Sequence, residues 1–328
     1  MKNSPIYYSV GPLLYCPANR TDIASSIVQE KFGNKYSLAL CLEDTINDQF
    51  VTQAEAILIR SLQQLYTSSQ TRSFFMPKIF IRVRRSSQIK DLVSRLGVAT
   101  EILSGFILPK FDKKNADDYI QTAIEVNHDS DKTYYVMPIM ESSTIIDLKK
   151  RADVLYEIKE KLKPIEELVL NIRVGGNDLC NVFGFRRHSN ESIHGIAPIA
   201  SIFSDIITVF GTDYVVSGPV WEYYNNESWN TGLWQELSDD RLCGFIGKTV
   251  IHPRQIPLVN QAYAVSPEDL KDAEAILNWD ISNPSFVSGS PDKRRMNEYK
   301  THAVWAEKIM YLSKTYGVCA PTHPPVSE

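Results

Sequence analysis

The sequence predicts a (β/α)8 TIM barrel followed by a C-terminal helical extension with a lid segment. Three observations point there. Eight short apolar runs suited to strands alternate with helical stretches, at spacings of roughly thirty to forty residues, close to the ~250 residues of such a barrel plus insertions. Polar residues gather at or just after the ends of those runs: Asn19 and Arg20, Glu43 and Asp44, Arg82 and Arg84, Lys110, Glu141, Asp178 and His252. In a β/α barrel these positions converge on the catalytic face. Third, no glycine fingerprint follows the first run, where Pro17-Ala18-Asn19-Arg20 stands instead. A doubly wound nucleotide-binding sheet would carry one there and has fewer strands.

Leu13 to Cys16 reads as a short buried strand, and Thr21 or Asp22 can cap a helix through about Phe32, stopped by Gly33-Asn34. The run Ser37 to Leu42 follows and ends at Glu43-Asp44. Thr52 to Tyr66 places Ala54, Ile57, Leu58, Ser61, Leu62 and Leu65 on one helical face. Ile79 to Arg84 is the third strand, Ser86 or Ser87 starts a helix to Leu96, and Gly105 to Leu108 is the fourth strand, ending in Pro109-Lys110. A helix from Asn115 to Val126 leads to the strand Tyr134 to Ile139, and one from about Ser143 to Leu162 returns to the apolar run Leu168 to Ile172. A long mixed loop, Asn181 to Gly195, carries Arg186-Arg187-His188. A helix from Pro198 to Phe210, a strand Asp213 to Val216, a helix from about Thr231 to Leu242 and a strand Gly244 to Ile251 complete the barrel, and His252-Pro253 breaks the last strand.

Residues 1–263 are thus read as the barrel and 264–328 as a C-terminal unit for lid closure and assembly. Pro267 to Trp279 and Met296 to Tyr316 have helical patterns. Between them, Ile281 to Lys293 is rich in Ser, Pro, Gly and Asp and reads as a mobile loop able to close over a barrel mouth, its own or a neighbour's. The tail from Ala320 reads as frayed.

Composition excludes several classes. The chain has 328 residues, 43% apolar and 23% charged, as in a soluble globular protein. A net charge of −4 leaves no basic footprint for nucleic acid. Five widely spaced cysteines form no C-x-x-C pair, which argues against a disulfide framework or a zinc site and for a cytoplasmic setting. No apolar run reaches the ~20 residues of a membrane helix, and no basic-then-apolar leader opens the chain.

Glu141 and Asp178 leave consecutive strands in the same direction. At the C-terminal edge of a parallel sheet both face one cavity, an arrangement that holds a hard cation with open positions. Read singly, Glu141 caps the following helix and Asp178 forms an Asx-type turn. Arg82 is either an oxyanion partner or a salt bridge inside the barrel, to Glu43.

The order of short motifs adds a resemblance. Leu14-Tyr15-Cys16-Pro17-Ala18-Asn19-Arg20, Leu42-Glu43-Asp44-Thr45, Ile81-Arg82-Val83, Leu108-Pro109-Lys110, Met140-Glu141-Ser142, Gly175-Gly176-Asn177-Asp178-Leu179 and Gly247-Lys248-Thr249-Val250-Ile251-His252-Pro253-Arg254-Gln255 follow one another. Together they resemble the citrate lyase β-subunit and malyl-CoA lyase family of the HpcH/HpaI aldolase superfamily. The chain is similar to the divergent branch of C–C bond lyases found with tellurium-resistance genes. It departs at Arg84, where the family usually has Asn, and after Glu141, where the usual Thr and nearby Gly are missing. The resemblance implies a Mg2+-dependent lyase or aldolase acting on a short oxo- or hydroxy-acid or its CoA thioester, assembled as a trimer or hexamer. It implies Glu141 and Asp178 as metal ligands and Arg82 at the developing oxyanion. Glu43 and Asp44 would hold the metal's waters or orient Arg82, while Asn19, Arg20, Arg84 and Lys110 would contact the anionic substrate. His252 is structural by the same resemblance. The alternatives are a catalytically silent barrel binding a metabolite or partner in that pocket, and another chemistry of the phosphoenolpyruvate-utilising barrels.

Overall fold

A computed structural model describes residues 3–225 and 227–319. A short helix α1 (Pro5–Tyr8) precedes β1 (Pro12–Pro17). The chain then alternates through α2 (Ile23–Val28), β2 (Ser37–Cys41), α3 (Val51–Ser69), β3 (Lys78–Arg82), α4 (Ser86–Leu96), β4 (Leu103–Leu108), α5 (Ala116–His128) and β5 (Tyr135–Met140). It continues with α6 (Arg151–Leu162), β6 (Ile172–Val174), α7 (Gly176–Val182), α8 (Ala197–Phe210), β7 (Val216–Ser217), α9 (Trp229–Cys243), β8 (Lys248–Val250) and α10 (Ile256–Tyr263). The eight strands are parallel and neighbour one another in chain order, with β8 returning to β1 through Leu13↔Thr249. Hydrogen bonds from Gly218 N–H to Gly247 O at 3.0 Å and from Ile246 N–H to Val216 O at 2.8 Å join β7 to β8 and close the ring.

The strands form where near-continuous apolar runs can be buried on both faces, as Leu38, Ala39, Leu40 and Cys41 are in β2. Gly105 lets β4 lie against β5. Its φ is +153°, and a Cβ there would sit 1.9 Å from the Tyr135 carbonyl oxygen. Among the described residues the cysteines are free, and no helix is long and apolar enough to cross a membrane.

Some expected boundaries move. The helix expected from Ser143 starts at Arg151. Before it, Ser142 caps a single 3-10 turn, and Asp147 begins a new one by accepting from Lys149 N–H at 3.0 Å. The sixth strand lies later than the run Leu168 to Ile172, because Val169 makes only a bridge to Val136 and pairing resumes at Ile172–Val174. The seventh strand shrinks to Val216–Ser217. Asp178 lies in the first turn of α7, not in a loop.

The two helices expected in the C-terminal extension form, and the segment between them is what differs from expectation. After α11 (Pro267–Leu277), an antiparallel hairpin of β9 (Val287–Gly289) and β10 (Met296–Glu298) leads into α12 (Tyr299–Tyr316). Arg295 pairs with Asp269 at 2.7 Å and with Asp272, Asn297 donates to Asp272 at 3.1 Å, and Phe286 stacks on Tyr299 at 5.5 Å. These contacts tie the hairpin to α11 and α12. Those helices dock at the N-terminal end of the barrel, where Tyr316 packs on Tyr263 at 5.4 Å and approaches Gly11 and Gly247. The segment 281–293 therefore does not cover the mouth of its own barrel. The tail from Ala320 lies outside the described residues.

Behind β8 lies a buried charge network. Lys248 Nζ meets Glu236 Oε1 at 2.8 Å and Asp240 Oδ2 at 2.7 Å, and all three side chains have zero exposure. Arg187 donates to Glu236 at 3.1 Å, and Glu236 also accepts the Ile193 N–H at 2.9 Å. His194 Nε2 lies 2.8 Å from Asp240. Burial opposes the imidazolium, but the bond to Asp240 lifts His194 to about 9. The network pins the loop 186–195 to α9 and β8. Lys248→Ala would strand two carboxylates in a dry interior and should destabilise the fold by about 3–5 kcal/mol in urea unfolding. An unchanged midpoint would show that the carboxylates find other partners.

Candidate active site

The loop after β2 carries Glu43 and Asp44, and Arg84 gives it its shape. Arg84 Nη1 donates to the carbonyls of Leu42 at 3.1 Å and of Glu43 and Ile46 at 3.3 Å, and Nη2 pairs with Asp48. With its guanidinium spent on this loop, Arg84 positions the acids and is not free for substrate.

Arg82, the last residue of β3, is the hub. Its Nη2 lies 2.8 Å from Glu43 Oε2, 2.9 Å from Asp44 Oδ2 and 3.0 Å from Glu141 Oε1. Burial works against this cation, but Tyr15 and the surrounding carboxylates raise it overall, so it stays charged. Its Nε is buried with no acceptor among the described residues. Lys110 follows Pro109 at the end of β4 with φ of 46°. Its backbone N–H donates to Glu141 Oε1 at 2.9 Å and its Nζ reaches Asp44 Oδ1 at 2.9 Å and Glu43. Burial and the adjoining Asp44 push the Glu43 carboxyl up.

Glu141 stands at the end of β5, only 5% exposed. One of its oxygens takes Arg82 and the Lys110 N–H; the other faces Gly175, where a Cβ would sit 2.2 Å from Oε2. Asp178, half-buried in the first turn of α7, acts on Glu141 through its charge. Burial pushes the Glu141 carboxyl up to about 7; Arg82 opposes the rise and Asp178 adds to it.

These residues fit a hard divalent cation. Glu141 Oε2 and Asp178 are oxygen donors without a protein hydrogen bond among the described residues. With all four carboxylates (Glu43, Asp44, Glu141, Asp178) ionised, the two cations (Arg82, Lys110) leave two negative charges, which one divalent ion would balance. No group of three or more His, Cys, Asp or Glu side chains is placed to hold a metal ion among the described residues. A two-carboxylate site suits Mg2+, which keeps several waters and takes one or two protein carboxylates.

Other expected site residues lie apart. Arg20 forks onto Asp22, with Nη2 to Oδ2 at 2.9 Å, and lies over the Phe32 ring at 5.3 Å. Asn19 is exposed on the same turn. His252 accepts the Arg254 N–H at 3.2 Å as a helix cap and stacks on Tyr224 at 4.7 Å, a structural role. Arg187 is buried in the network behind β8, whereas Arg186 and His188 are exposed. Two residues escaped the sequence reading. Tyr15 shares the electrostatic surroundings of Arg82 and Glu141, and burial pushes its phenol up to about 12. Arg173, 1% exposed, donates to Thr249 and keeps a buried Nη1 without an acceptor. Strand alternation was the available signal: Arg173 lies two residues before Gly175 and so shares its face.

The sequence pattern of C–C bond lyases of the TIM-barrel fold matches residues 4–318. The chain belongs to that family. No curated protein matches it. Among solved structures, CitE from Mycobacterium tuberculosis in complex with magnesium, acetoacetate and coenzyme A is 18% identical with a TM-score of 0.60, over 94% of this chain and 99% of that one. The citrate lyase β subunit of the same organism, complexed with oxaloacetate and magnesium, is 19% identical with a TM-score of 0.52, over 79% and 99% of the two chains. RipC from Yersinia pestis is 17% identical with a TM-score of 0.52, over 78% and 95%. At these identities the likeness to each structure is one of fold, which agrees with the barrel of this family member.

Gly175→Ala tests the corner directly. The added methyl must displace the Glu141 carboxylate, and a shift of about 1 Å at such a site can cost on the order of a hundredfold. Circular dichroism should stay native while the Mg2+-dependent rise in melting temperature disappears; a retained rise would place the ion elsewhere. The acidity of Glu141 gives a second test. A folded-state value near 7, above the ordinary 4.5, means that its contribution to metal-free stability is full below 4.5 and lost as pH rises through 7. A cation needs the ionised form. Added Mg2+ should therefore stabilise most above pH 7 and least near pH 5, and Glu141→Gln should flatten both trends in melting curves.

Proposed function

We propose that the protein is a Mg2+-dependent carbon–carbon lyase acting on a short oxo- or hydroxy-acid or its CoA thioester. One observation carries the reading: a fixed Arg82 guanidinium beside a carboxylate corner where Glu141 Oε2 and Asp178 have no protein hydrogen bond among the described residues and suit a divalent ion. Family membership supports lyase chemistry, and related folds solved with magnesium and acetoacetate or oxaloacetate support the substrate class.

Breaking a C–C bond next to a carbonyl leaves an enolate, whose negative oxygen must be stabilised. Glu141 and Asp178 would hold Mg2+, which would supply Lewis-acid polarisation of the carbonyl and an anchor for the acid's carboxylate. Arg82 offers its fixed positive charge to the oxygen on which negative charge develops. Its Nη2 contacts fix the guanidinium before substrate arrives, so little reorganisation is required during reaction. Glu43, Asp44 and Lys110 hold Arg82 in that pose and keep its charge balanced. Tyr15, buried nearby, feels the charges of both Arg82 and Arg173.

Arg82→Lys keeps the charge but loses the planar fork and Nε–H. With oxaloacetate, malyl-CoA and citramalyl-CoA as trial substrates, Mg2+-dependent cleavage should appear for the wild type, and kcat should fall on the order of a hundredfold in the variant with little change in KM. Near-wild-type kcat would leave Arg82 as a salt bridge only. No turnover of these acids by the wild type would favour a silent binding barrel.

A further inference from the structure

A separate cavity lies at the opposite end of the barrel. A cavity of about 550 Å3 opens at the N-terminal ends of the strands, within the ~300–1,000 Å3 range of small-molecule sites. Three lysines from three separate elements line it: Lys35 before β2, Lys78 at the start of β3 and Lys314 near the end of α12. Among the described residues no carboxylate lines it, and the three ammonium groups have no acidic partner. Lys78 is half-buried, and its Nζ contacts only the Ser9 carbonyl, at 3.4 Å. Desolvation pulls it below the ordinary lysine value. In a chain of net charge −4, three uncompensated cations around one cavity mark a place for an anion.

The rest of the lining describes the body of that anion. Tyr36 and Phe75 form a tilted pair at 5.4 Å, with Met76 beside them, so the wall next to the lysines is aromatic and apolar. The Glu30 carboxylate is nearby but accepts the Phe75 N–H at 2.9 Å and does not line the cavity. We propose that this foot cavity binds a phosphate ester carrying a planar ring, with the phosphates among the lysines and the ring against Tyr36, Phe75 and Met76. Lysines bind phosphate as point charges from several directions, without the planar fork that a lone carboxylate favours. The site is separate from the carboxylate corner: Lys78 and Arg82 are the two ends of β3, about 13 Å apart along a strand rising ~3.3 Å per residue. It does not rest on the proposed lyase activity.

The test uses the full chain, with ADP as the ring-bearing probe and inorganic phosphate as the ringless one, in melting curves and calorimetry. ADP should raise the melting temperature by several degrees at low ionic strength, more than phosphate at equal concentration, with the shift fading at high ionic strength. It should persist without Mg2+ and in Glu141→Gln, and vanish in the Lys35→Ala/Lys314→Ala double variant. Lys78→Met adds the third cation where circular dichroism shows it folded; the exposed pair decides the matter alone where it is not. The proposal is overturned by no shift with ADP, by phosphate matching ADP, by a shift that survives loss of the two exposed lysines, or by one that disappears in Glu141→Gln.

Discussion

Glu141 is shared between two neighbourhoods of opposite character, and the rest of the site depends on how its two oxygens are divided. One accepts from Arg82 and the Lys110 backbone; the other faces Gly175, and the charge of Asp178 acts on the carboxyl as a whole. A buried carboxylate bonded on both sides would be inert structure, and one bonded on neither would take a proton. Divided this way, it is fixed by one oxygen and available through the other.

The fold supplies that division by ending four strands at the right places. β2 delivers Glu43 and Asp44, β3 delivers Arg82, β4 delivers Lys110 and β5 delivers Glu141. Arg84 shapes the first of these loops from its carbonyls. On the far side of the ring, the Lys248–Glu236–Asp240 network ties α9 to β8 and holds the loop that follows α7. Tyr316 and the C-terminal helices pack against the opposite end. Paired charges thus gather at the mouth, while the extension packs at the foot.

Much of this was legible in the sequence, for a physical reason. Strand ends in a parallel barrel share one face, so polar residues in phase with those ends were expected to meet, and Glu43, Asp44, Arg82, Lys110 and Glu141 do. Residues whose role depends on long-range pairing were harder to read. Arg84 has the same position relative to its strand as a substrate-binding residue would, yet its donors are taken by carbonyls some forty positions earlier. Arg20 found a local acid, Asp22, that a strand-end argument ignores. Lys248, Glu236 and Asp240 carry no local sign of burial, because their compensation exists only once α9 packs on β8. The segment 281–293 has the composition of a mobile loop, but short-range pairing and the Arg295 contacts fold it into a hairpin.

The central claim is that Glu141 and Asp178 hold one divalent cation between them. Its most direct test is an anomalous-difference map from crystals of the wild-type protein soaked in Mn2+ as a stand-in for Mg2+. The account expects one strong peak in the corner beside Gly175, about 2 Å from Glu141 Oε2 and from an Asp178 carboxylate oxygen. A peak bound by other side chains, or no peak at a concentration that saturates turnover, would contradict it.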